Sequence, residues 1–470
     1  MPSSENLLFN KYELNYFRKK KIRDKYLLIA YTGHWDALAN EEYRRLMSHK
    51  LDETLYKRLS EKGLIITENN KEKLTNDFKK SKQQLFQGTS LHIVVVTLRC
   101  NESCVYCHAA SRSISAKEYD MSIATARKTV DFIFQTTSNA ITIEFQGGEP
   151  LLNFDTVKEI ILYAKEKNKA AKKKLRFSIV TNLSLMDENK LDFLIENKIG
   201  ICTSLDGPKI LHDKNRPFHG QSSYEYAVKW IKKIKEKKGD INALMSTTRA
   251  TLDYPTEIID EYAKFGLNNI WLRFLNNLGC AKEQWDKLSY SADEFLSFWK
   301  KGVDYSFETG KINELSGNII LKKILLNENP MMLDFMSPCG AAIGQLAYNY
   351  DGNIYSCDEA RMLNDDMFLL GNVTEDTYGK LMKAPKTCSL IASSVNECLL
   401  CDACAYQPFC GICPVCTYAA NGTLLPKLSE DFRCRVFIGQ FYHLFEKIIF
   451  EEGFAERIRK NMEQKHVDKR

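Results

Sequence analysis

Long apolar segments are missing from this sequence. No run approaches the roughly 20 apolar residues of a membrane-spanning helix, and the start, MPSSENLLFNKYELNYFRKKK, has no apolar stretch followed by a small-residue cleavage site. We therefore expect no membrane partner and a cytoplasmic location. A strong charge of one sign is also missing, because 66 basic residues face 60 acidic ones and the net charge is +6. So small an excess argues only weakly for nucleic acid, and we expect no such partner.

Cysteine, by contrast, is abundant, with 15 in 470 residues. In a reducing compartment, clustered cysteines more often bind metal than form disulfides, and an odd count fits a complete disulfide framework poorly. Three lie in the stretch CNESCVYC, and most of the others crowd the last quarter of the chain. Cys202 and Cys280 stand alone and are expected to be buried apolar side chains. The sequence thus predicts two separate thiol-rich centres.

The middle of the chain alternates strand and helix patterns six times. The candidate strands are LHIVVVTL, ITIEFQ, LRFSIVTN, GICTSLD, INALMSTT and NIWLRFL, with amphipathic segments of helical period between them. Strands rich in Val and Ile that alternate with helices predict a parallel sheet. Six units rather than eight predict an α/β fold with a partial (β/α)6 TIM-like barrel over residues 91–310. In such barrels the chemistry collects at the carboxyl ends of the strands, which here read TLRC, FQGGEP, VTN and SLDG.

The segments on either side of the barrel differ in character. Residues 1–70 combine two strand-like arms around Gly33 with two helical segments and a closing LIIT, which is a winged-helix-like order. Residues 71–90 are polar and are interpreted as a linker, with a surface helix as the alternative. Residues 337–440 are interpreted as a cysteine-rich unit and 441–470 as a C-terminal helix. The basic run FRKKKIRDK lacks interleaved aromatic residues and is interpreted as a solvated face.

The three thiols within these eight residues are one ligand fewer than a metal site needs when all of its ligands come from the protein. A structural zinc ion takes four protein ligands, and an electron-transfer 4Fe-4S cluster normally takes four thiolates. Three thiolates leave one iron of a four-iron cluster open, and that iron can bind a small molecule through amino and carboxylate groups. A zinc knuckle with a distant fourth ligand is the alternative. GGEP or SLDG, each taken alone, is an ordinary turn or strand end.

CNESCVYC followed by FQGGEP and a strand that ends in SLDG resembles the radical S-adenosylmethionine (SAM) enzymes, over about residues 91–440. The resemblance implies that Cys100, Cys104 and Cys107 hold a 4Fe-4S cluster whose open iron chelates SAM. The residues that it places at the bound SAM are Tyr106, Gly147, Gly148, Glu149, Pro150, Asn182, Ser204, Asp206 and Arg216. It further implies reductive cleavage of SAM to a 5′-deoxyadenosyl radical that abstracts hydrogen from the substrate. For Arg216 a contact with the substrate is the alternative, and Arg273 is a weaker candidate of the same kind.

The last quarter resembles the SPASM domain, an extension that carries two auxiliary 4Fe-4S clusters in radical enzymes that modify peptides. By this resemblance Cys339, Cys357 and Cys413 hold the first auxiliary cluster. The ligands of the second are Cys401, Cys404, Cys410 and Cys434. Two departures matter, since the family's Cys-x5-Cys-x3-Cys is here Cys-x5-Cys-x2-Cys, and the upstream cysteine of fully ligated members has no counterpart. The candidates for the missing ligand are Cys398, Cys416 and a substrate thiolate. A zinc ribbon is the alternative for this region.

Asp358 directly follows Cys357, at the position where sulfatase-maturing relatives keep a catalytic carboxylate. We therefore expect Asp358 to accept a proton during substrate oxidation. The alternative is an aspartate that only accepts hydrogen bonds from amides of the cluster loop.

Residues 1–70 resemble the leader-peptide recognition modules that precede many peptide-modifying radical enzymes, a small cap on the barrel being the alternative. The motifs TSLDGP and CGICPV are most similar to those of His-Xaa-Ser system maturases. The predicted function is a radical SAM maturase of a ribosomally made peptide, with that precursor and a reductant such as flavodoxin or ferredoxin as partners. The alternatives are an anaerobic sulfatase-maturing enzyme that forms formylglycine, and a non-catalytic iron–sulfur or zinc binding protein.

Overall fold

The computed structural model describes residues 12–328, 333–336, 339–394, 399–411, 413–425 and 431–467. Its N-terminal strands are β1 (Glu13–Leu14), β2 (Phe17–Ile22), β3 (Lys25–Ala30), β4 (Trp35–Ala39) and β5 (Ile65–Ile66). The N-terminal helices are α1 (Asn40–Met47), α2 (Glu53–Glu61) and α3 (Lys71–Ser81). The predicted arms around Gly33 are β3 and β4. The Asp52 side chain caps α2 by accepting from the Leu55 amide at 2.8 Å.

From residue 91 onward, strands and helices alternate as the sequence predicts. The strands are β6 (Leu91–Thr97), β7 (Ala140–Gly147), β8 (Lys174–Val180), β9 (Gly200–Ser204), β10 (Ile241–Leu244) and β11 (Asn269–Ile270). The intervening helices are α4 (Ile123–Ile133), α5 (Phe154–Ala171), α6 (Glu188–Glu196), α7 (Lys209–Asn215), α8 (Ser223–Glu236) and α9 (Pro255–Lys264).

Helices predominate in the remainder. They are α10 (Cys280–Glu283), α11 (Trp285–Leu288), α12 (Ala292–Thr309), α13 (Leu315–Leu326), α14 (Asp358–Leu363), α15 (Tyr378–Lys383), α16 (Pro385–Ser393), α17 (Leu399–Asp402), α18 (Pro414–Asn421), α19 (Phe432–Phe450) and α20 (Phe454–Val467). The strands are β12 (Asn313–Glu314), β13 (Gln345–Tyr348), β14 (Asn353–Tyr355) and β15 (Leu369–Asn372). None of the helices among the described residues has the length and apolar character needed to cross a membrane.

One eight-stranded sheet unites the barrel and the cysteine-rich unit, in the order β10-β9-β8-β7-β6-β13-β14-β15. Strands β6 to β10 are parallel neighbours, which confirms the partial barrel. The sixth predicted strand is reduced to β11, which pairs with β12. Just beyond β10 and β11, the Thr247 amide donates a hydrogen bond to the Arg273 carbonyl at 3.1 Å. On the other side, β13 pairs in parallel with β6 from Gln345↔Leu91 to Tyr348↔Val94. The cysteine-rich unit therefore continues the barrel sheet.

The core is divided by the alternation of side chains along β6. Val94 and Val96 are fully buried in the main core, which also contains the inner faces of the barrel helices. Ile93 and Val95 belong to a second apolar cluster that includes Cys357 and other residues of the C-terminal unit. Because a strand inside a parallel sheet is covered on both faces, β6 contains the continuous apolar run from Ile93 to Val96 rather than an alternating pattern.

The basic run FRKKKI is a strand, β2, and not simply a solvated face as expected. It pairs with β3, which pairs with β4, in a three-stranded antiparallel sheet. One face of this sheet packs on α1 and α2, and the other contributes Ile22, Leu27 and Ile29 to the main core. The ring of Trp35 lies edge-on to Phe445 of α19, with 5.1 Å between centroids. The N-terminal module is therefore packed into the rest of the molecule.

Candidate active site

The cysteine loop that follows β6 is fixed at both ends. Before it, Arg99 is buried and its guanidinium donates to Asp120 at 2.6 and 2.8 Å. Within it, the Val105 amide donates to the Asn215 carbonyl at the end of α7 at 3.0 Å. These contacts hold the three predicted thiols at the carboxyl end of the sheet, which is where barrel enzymes carry their chemistry.

The three thiols of this loop differ in their environment. Burial raises the pKa of the Cys104 thiol, and it raises that of Cys100 to about 12. The Cys280 thiol and the Ser111 hydroxyl both hydrogen-bond with the Cys107 sulfur, and these contacts lower the pKa of Cys107. A lower pKa favours the thiolate, which is the form that binds metal.

The GGEP glycines let the ends of two strands approach closely. A Cβ on Gly147 would lie 2.2 Å from the Thr97 carbonyl oxygen, and one on Gly148 would lie 2.2 Å from that of Arg99. The Glu149 amide donates to the same Arg99 carbonyl at 2.7 Å. Glycine is therefore required at both positions, because the end of β7 contacts the backbone at the end of β6 that leads into the cysteine loop.

The Glu149 carboxylate is directed at the protein. It is fully buried and accepts from the Leu151 amide at 3.0 Å, the Thr181 hydroxyl at 2.7 Å and the Asn182 amide at 2.7 Å. Burial raises its pKa to about 7. Pro150 then starts a short 3-10 turn. Glu149 thus ties the end of β7 to the end of β8.

Asn182 and Ser204 both lie at strand ends, as predicted. The Asn182 side chain donates to Asn101 inside the cysteine loop at 3.0 Å and accepts from the Ser184 hydroxyl at 2.6 Å. Ser204 is half-buried at the end of β9 and is paired in register with Leu244 of β10. Asn182 therefore connects the third strand directly to the thiol loop.

Asp206 brings together more of the predicted site than any other residue described above. It is fully buried and accepts from the Tyr106 hydroxyl at 2.6 Å, from Arg216 at 3.1 Å and from the Ser246 amide at 3.2 Å. The Arg216 guanidinium lies 5.2 Å from the Tyr106 ring centroid and 3.7 Å from the Cys104 sulfur. Tyr106, Asp206 and Arg216 thus form one buried group beside the thiols.

Two residues that the sequence did not indicate also belong to this site. Cys280 was expected to be a buried apolar side chain, but it is half-buried and binds Cys107 through its thiol and its amide, the latter at 2.8 Å from the Cys107 carbonyl. His108 is mostly buried, its Nε2 has no hydrogen-bond partner among the described residues, and burial lowers its pKa to about 4. Cys280 lies far from Cys107 in the chain and carries no motif that would have revealed the contact. Cys202, on β9, is also half-buried rather than fully buried, and burial raises the pKa of its thiol.

Asp358 starts α14 directly after Cys357 and forms an ion pair with Arg361. Arg361 donates to its carboxylate at 3.0 and 3.1 Å, and Arg361 also reaches the Ala109 carbonyl of the cysteine loop at 3.4 Å. The neighbouring Glu359 accepts from Arg273 at 3.1 Å. Both arginines therefore bridge the mouth of the barrel and the C-terminal unit.

The C-terminal thiols fall into two groups, as the sequence predicts. Cys339, Cys357 and Cys413 are near enough to interact electrostatically, and burial raises the pKa of Cys339 and Cys357. In the second group, Cys410 interacts with Cys404 and Cys434, and burial raises its pKa.

The second group is continuous with two helices. Cys401 lies on α17, and its carbonyl accepts a hydrogen bond from the Cys404 amide at 3.1 Å. Cys434 lies on the first turn of α19, which starts earlier than the predicted C-terminal helix. Cys398 is outside the described residues.

The middle of this chain, residues 94–265, matches the model of the Radical SAM superfamily. The chain carries a radical SAM domain. It is an enzyme, and the cofactors of this domain are a 4Fe-4S cluster and SAM. The matched segment contains the thiol loop, the GGEP turn and the Asp206 group described above.

Proteins similar to this chain align with most of its length. A cysteine-type anaerobic sulfatase-maturating enzyme of Clostridium perfringens is 26% identical over 378 residues, 77% of this chain and 97% of that enzyme. The radical SAM cyclopropyl synthase TigE of Paramaledivibacter caminithermalis is 23% identical over 363 residues, 73% of this chain and 71% of the synthase.

Two solved structures show a similar fold. Native anSMEcpe with bound AdoMet superposes with a TM-score of 0.67 at 24% identity, covering 79% of this chain and all of that one. Streptococcus suis SuiB bound to the precursor peptide SuiA superposes with a TM-score of 0.55 at 16% identity, covering 87% of this chain and 97% of that one.

The side chains of the thiol loop fit a cluster with one open iron. Three thiols come from one loop, and the hydrogen bond between the nearby Cys280 and Cys107 raises the pKa of the Cys280 thiol. Across the described residues no three or more His, Cys, Asp or Glu side chains converge on a point that would suit a single metal ion. A four-iron cluster does not need such convergence, since each thiolate binds a different iron. The unpartnered Nε2 of His108 adds a polar group directly beside the loop.

Proposed function

We propose that this enzyme is a radical SAM maturase that modifies a ribosomally made peptide, and that residues 337–440 carry two auxiliary clusters. Cluster and SAM, when bound, supply hydrogen abstraction from the substrate. The chain supports this chemistry with two carboxylate–guanidinium pairs, Asp206 with Arg216 and Asp358 with Arg361. We assign to Asp358 the acceptance of the substrate proton.

The observation that carries the proposal is the placement of the N-terminal sheet. Among the described residues β2 pairs only with β3, so its outer edge has no strand partner there. Lys20 and Lys21 on β2 are exposed, while Arg18 is buried and donates to Asp402 at 2.9 Å. Asp402 lies between Cys401 and Cys404, so this edge runs beside the second auxiliary site.

A basic strand edge suits an extended acidic segment. Main-chain hydrogen bonds to an exposed edge provide affinity in β-augmentation, and complementary charge selects the partner. We therefore infer that β2 receives an acidic stretch of the precursor's leader.

The test is binding of a fluorescently labelled acidic leader peptide to the full-length enzyme. We expect Lys20→Glu/Lys21→Glu to weaken binding at least tenfold and to reduce its dependence on salt. The matched control Lys300→Glu/Lys301→Glu, an adjacent pair on α12, should bind like wild type. Equal affinity of both double variants and wild type would reject β2 as the leader site.

Sulfatase maturation is the second candidate, and two observations favour it. The sulfatase-maturating relative is matched over 97% of its length, and Asp358 follows a cluster cysteine as expected for that chemistry. The two functions differ in product. Formylglycine formation replaces the sulfur of a cysteine by an aldehyde oxygen, whereas a crosslink within a peptide removes only hydrogen. Mass spectrometry of a Cys-containing sulfatase peptide and of a leader-bearing precursor, each incubated with the reduced enzyme and SAM, separates the two.

A further inference from the structure

Cys416 belongs to neither of the two expected sets of auxiliary-cluster ligands, but it lies next to Cys413 of the first set. Helix α18 begins at Pro414 with Cys413 as its N-cap, so Cys416 lies on the first turn. The Cys416 amide donates to the Cys413 sulfur at 3.4 Å, and the two thiols are themselves hydrogen-bonded. Residues three apart on a helix share a face. Cys416 therefore presents its sulfur on the side where Cys413 lies.

The other predicted thiols of the first auxiliary site meet on that side. Cys357 is 2% exposed and belongs to an apolar cluster against which Cys339 and Cys413 pack. Cys357 is close enough to interact electrostatically with both of them. Three thiols from three separate segments are thus joined by a fourth, Cys416, through its direct contact with Cys413.

A buried cation accompanies the fourth thiol. Arg433 is 13% exposed in its side chain, and its Nη1 lies 2.7 Å from the Cys416 sulfur. Its Nη2 donates to Asp334 at 3.2 Å, which fixes the guanidinium. A guanidinium at this distance offsets the negative charge that four thiolates would accumulate.

We propose that Cys416 is the fourth protein ligand of the first auxiliary cluster, together with Cys339, Cys357 and Cys413. The inference rests on the proposed function, which places a cluster there. Four thiolates close a four-iron cluster, so a substrate thiol approaches this cluster without binding its iron. Arg433 is a positioning residue that holds Cys416.

The test is the anaerobically reconstituted full-length enzyme, analysed for iron, for sulfide and by EPR after reduction. Wild type should hold about twelve irons, four for each of three clusters. Cys416→Ala should hold about eight and lose or alter one of the three EPR signals while the other two persist. The control Cys388→Ala removes an exposed cysteine on α16 and should hold about twelve. A circular dichroism spectrum that matches wild type shows that the variants are folded.

The competing ligands predict different results. If Cys398 is the ligand, Cys398→Ala reduces the iron content and Cys416→Ala does not. If a substrate thiolate is the ligand, both variants keep about twelve irons, and addition of the precursor peptide shifts an EPR signal in wild type and in both variants. Either result overturns the inference. Wild type with only about four irons would instead reject the auxiliary clusters and thus that part of the proposed function.

Discussion

Asp206 is the residue on which the SAM side of the site depends most. Its carboxylate is fully buried, and its partner Arg216 is 11% exposed. Loss of one member of a buried ion pair leaves the other charge without compensation, at a cost of about 3–5 kcal/mol. We therefore expect Asp206→Asn to lower the stability of the cluster-free enzyme by several kcal/mol and to reduce iron binding by the thiol loop. Thermal unfolding and iron content measure the two effects.

An exposed pair provides the control for Asp206. Glu225 and Lys209 form an ion pair at the surface, and such pairs contribute little. Glu225→Gln should leave unfolding and iron content near the wild-type values. If Asp206→Asn behaved in the same way, the carboxylate would not be what holds Arg216.

Glu314 makes a second residue-scale prediction, in this case for pH. It is fully buried at the N-cap of α13 and accepts from the Gly317 amide at 2.7 Å, and burial raises its pKa from the ordinary 4.5 to about 7. Between these values the folded state keeps a proton that the unfolded chain releases. The stability that Glu314 provides is therefore complete below about pH 4.5 and is lost as the pH rises through about 7, by about 3 kcal/mol in total.

The Glu314→Gln variant isolates this contribution because glutamine does not titrate. Hydrogen exchange of the α13 amides should show wild type losing protection relative to Glu314→Gln as the pH is raised from about 5 to about 8, after correction for the intrinsic exchange rate. A difference between the two proteins that stays constant over this range would contradict the raised pKa.

The sequence predicted individual residues well where a motif joined them. The three thiols of one loop, the GGEP turn and the residues Asp206 and Arg216 lie at one end of the sheet, as their positions after strands required. Cys280 and His108 were missed for a physical reason. Cys280 meets Cys107 only because the loop after β11 folds back over the thiol loop, and no local periodicity encodes such a contact.

At the scale of elements, the close approach of β6 and β7 is the most constrained feature of the site. Gly148 has no space for a Cβ, which would lie 2.2 Å from one backbone oxygen and 2.6 Å from another. Backbone cannot yield as a flexible side chain does. We expect Gly148→Ala to separate the two strand ends, to cost about 1–3 kcal/mol and to lower the iron content of the thiol loop more than that of the auxiliary sites. EPR distinguishes the sites.

Gly379→Ala is the matched control for this substitution. Gly379 lies within α15 with nothing within 4 Å of an added Cβ. Alanine in a helix is favoured over glycine, so this variant should be as stable as wild type or slightly more stable. A Gly148→Ala enzyme with wild-type stability and full iron content would show that the strand ends can separate without consequence.

Prediction of elements succeeded where the pattern was long and failed where it was short. Helices α4 and α8 and strands β6 to β10 follow from periodicity because each buries a regular apolar face. The sixth strand shrinks to Asn269–Ile270, since among the described residues it pairs only with the equally short β12. Strand β2 was missed because its exposed lysines conceal the pairing with β3. Backbone hydrogen bonds, rather than side-chain pattern, decide such strands.

At the scale of the molecule, the N-terminal sheet, the barrel and the auxiliary unit share their cores. The sheet contributes Ile22, Leu27 and Ile29 to the main core, and β13 extends the barrel sheet. Removal of the first 85 residues would therefore expose apolar surface as well as remove the proposed leader-binding strand. Point substitutions at the junctions are the cleaner probe of what the N-terminal sheet does.

The junction between β2 and α17 is suited to such a probe, because its two partners are buried unequally. The Arg18 side chain is 4% exposed and the Asp402 side chain 56%. Asp402→Ala leaves a buried guanidinium with fewer acceptors, at a cost of about 1–3 kcal/mol, whereas Arg18→Met leaves an aspartate that water can solvate. We therefore expect Asp402→Ala to increase hydrogen exchange of the β2 and β3 amides more than Arg18→Met does. The Arg18 guanidinium also lies 5.1 and 5.8 Å from the ring centroids of Tyr16 and Tyr31. If Arg18→Met increased the exchange more than Asp402→Ala, this packing, rather than the ion pair with Asp402, would hold the N-terminal sheet beside the second auxiliary site.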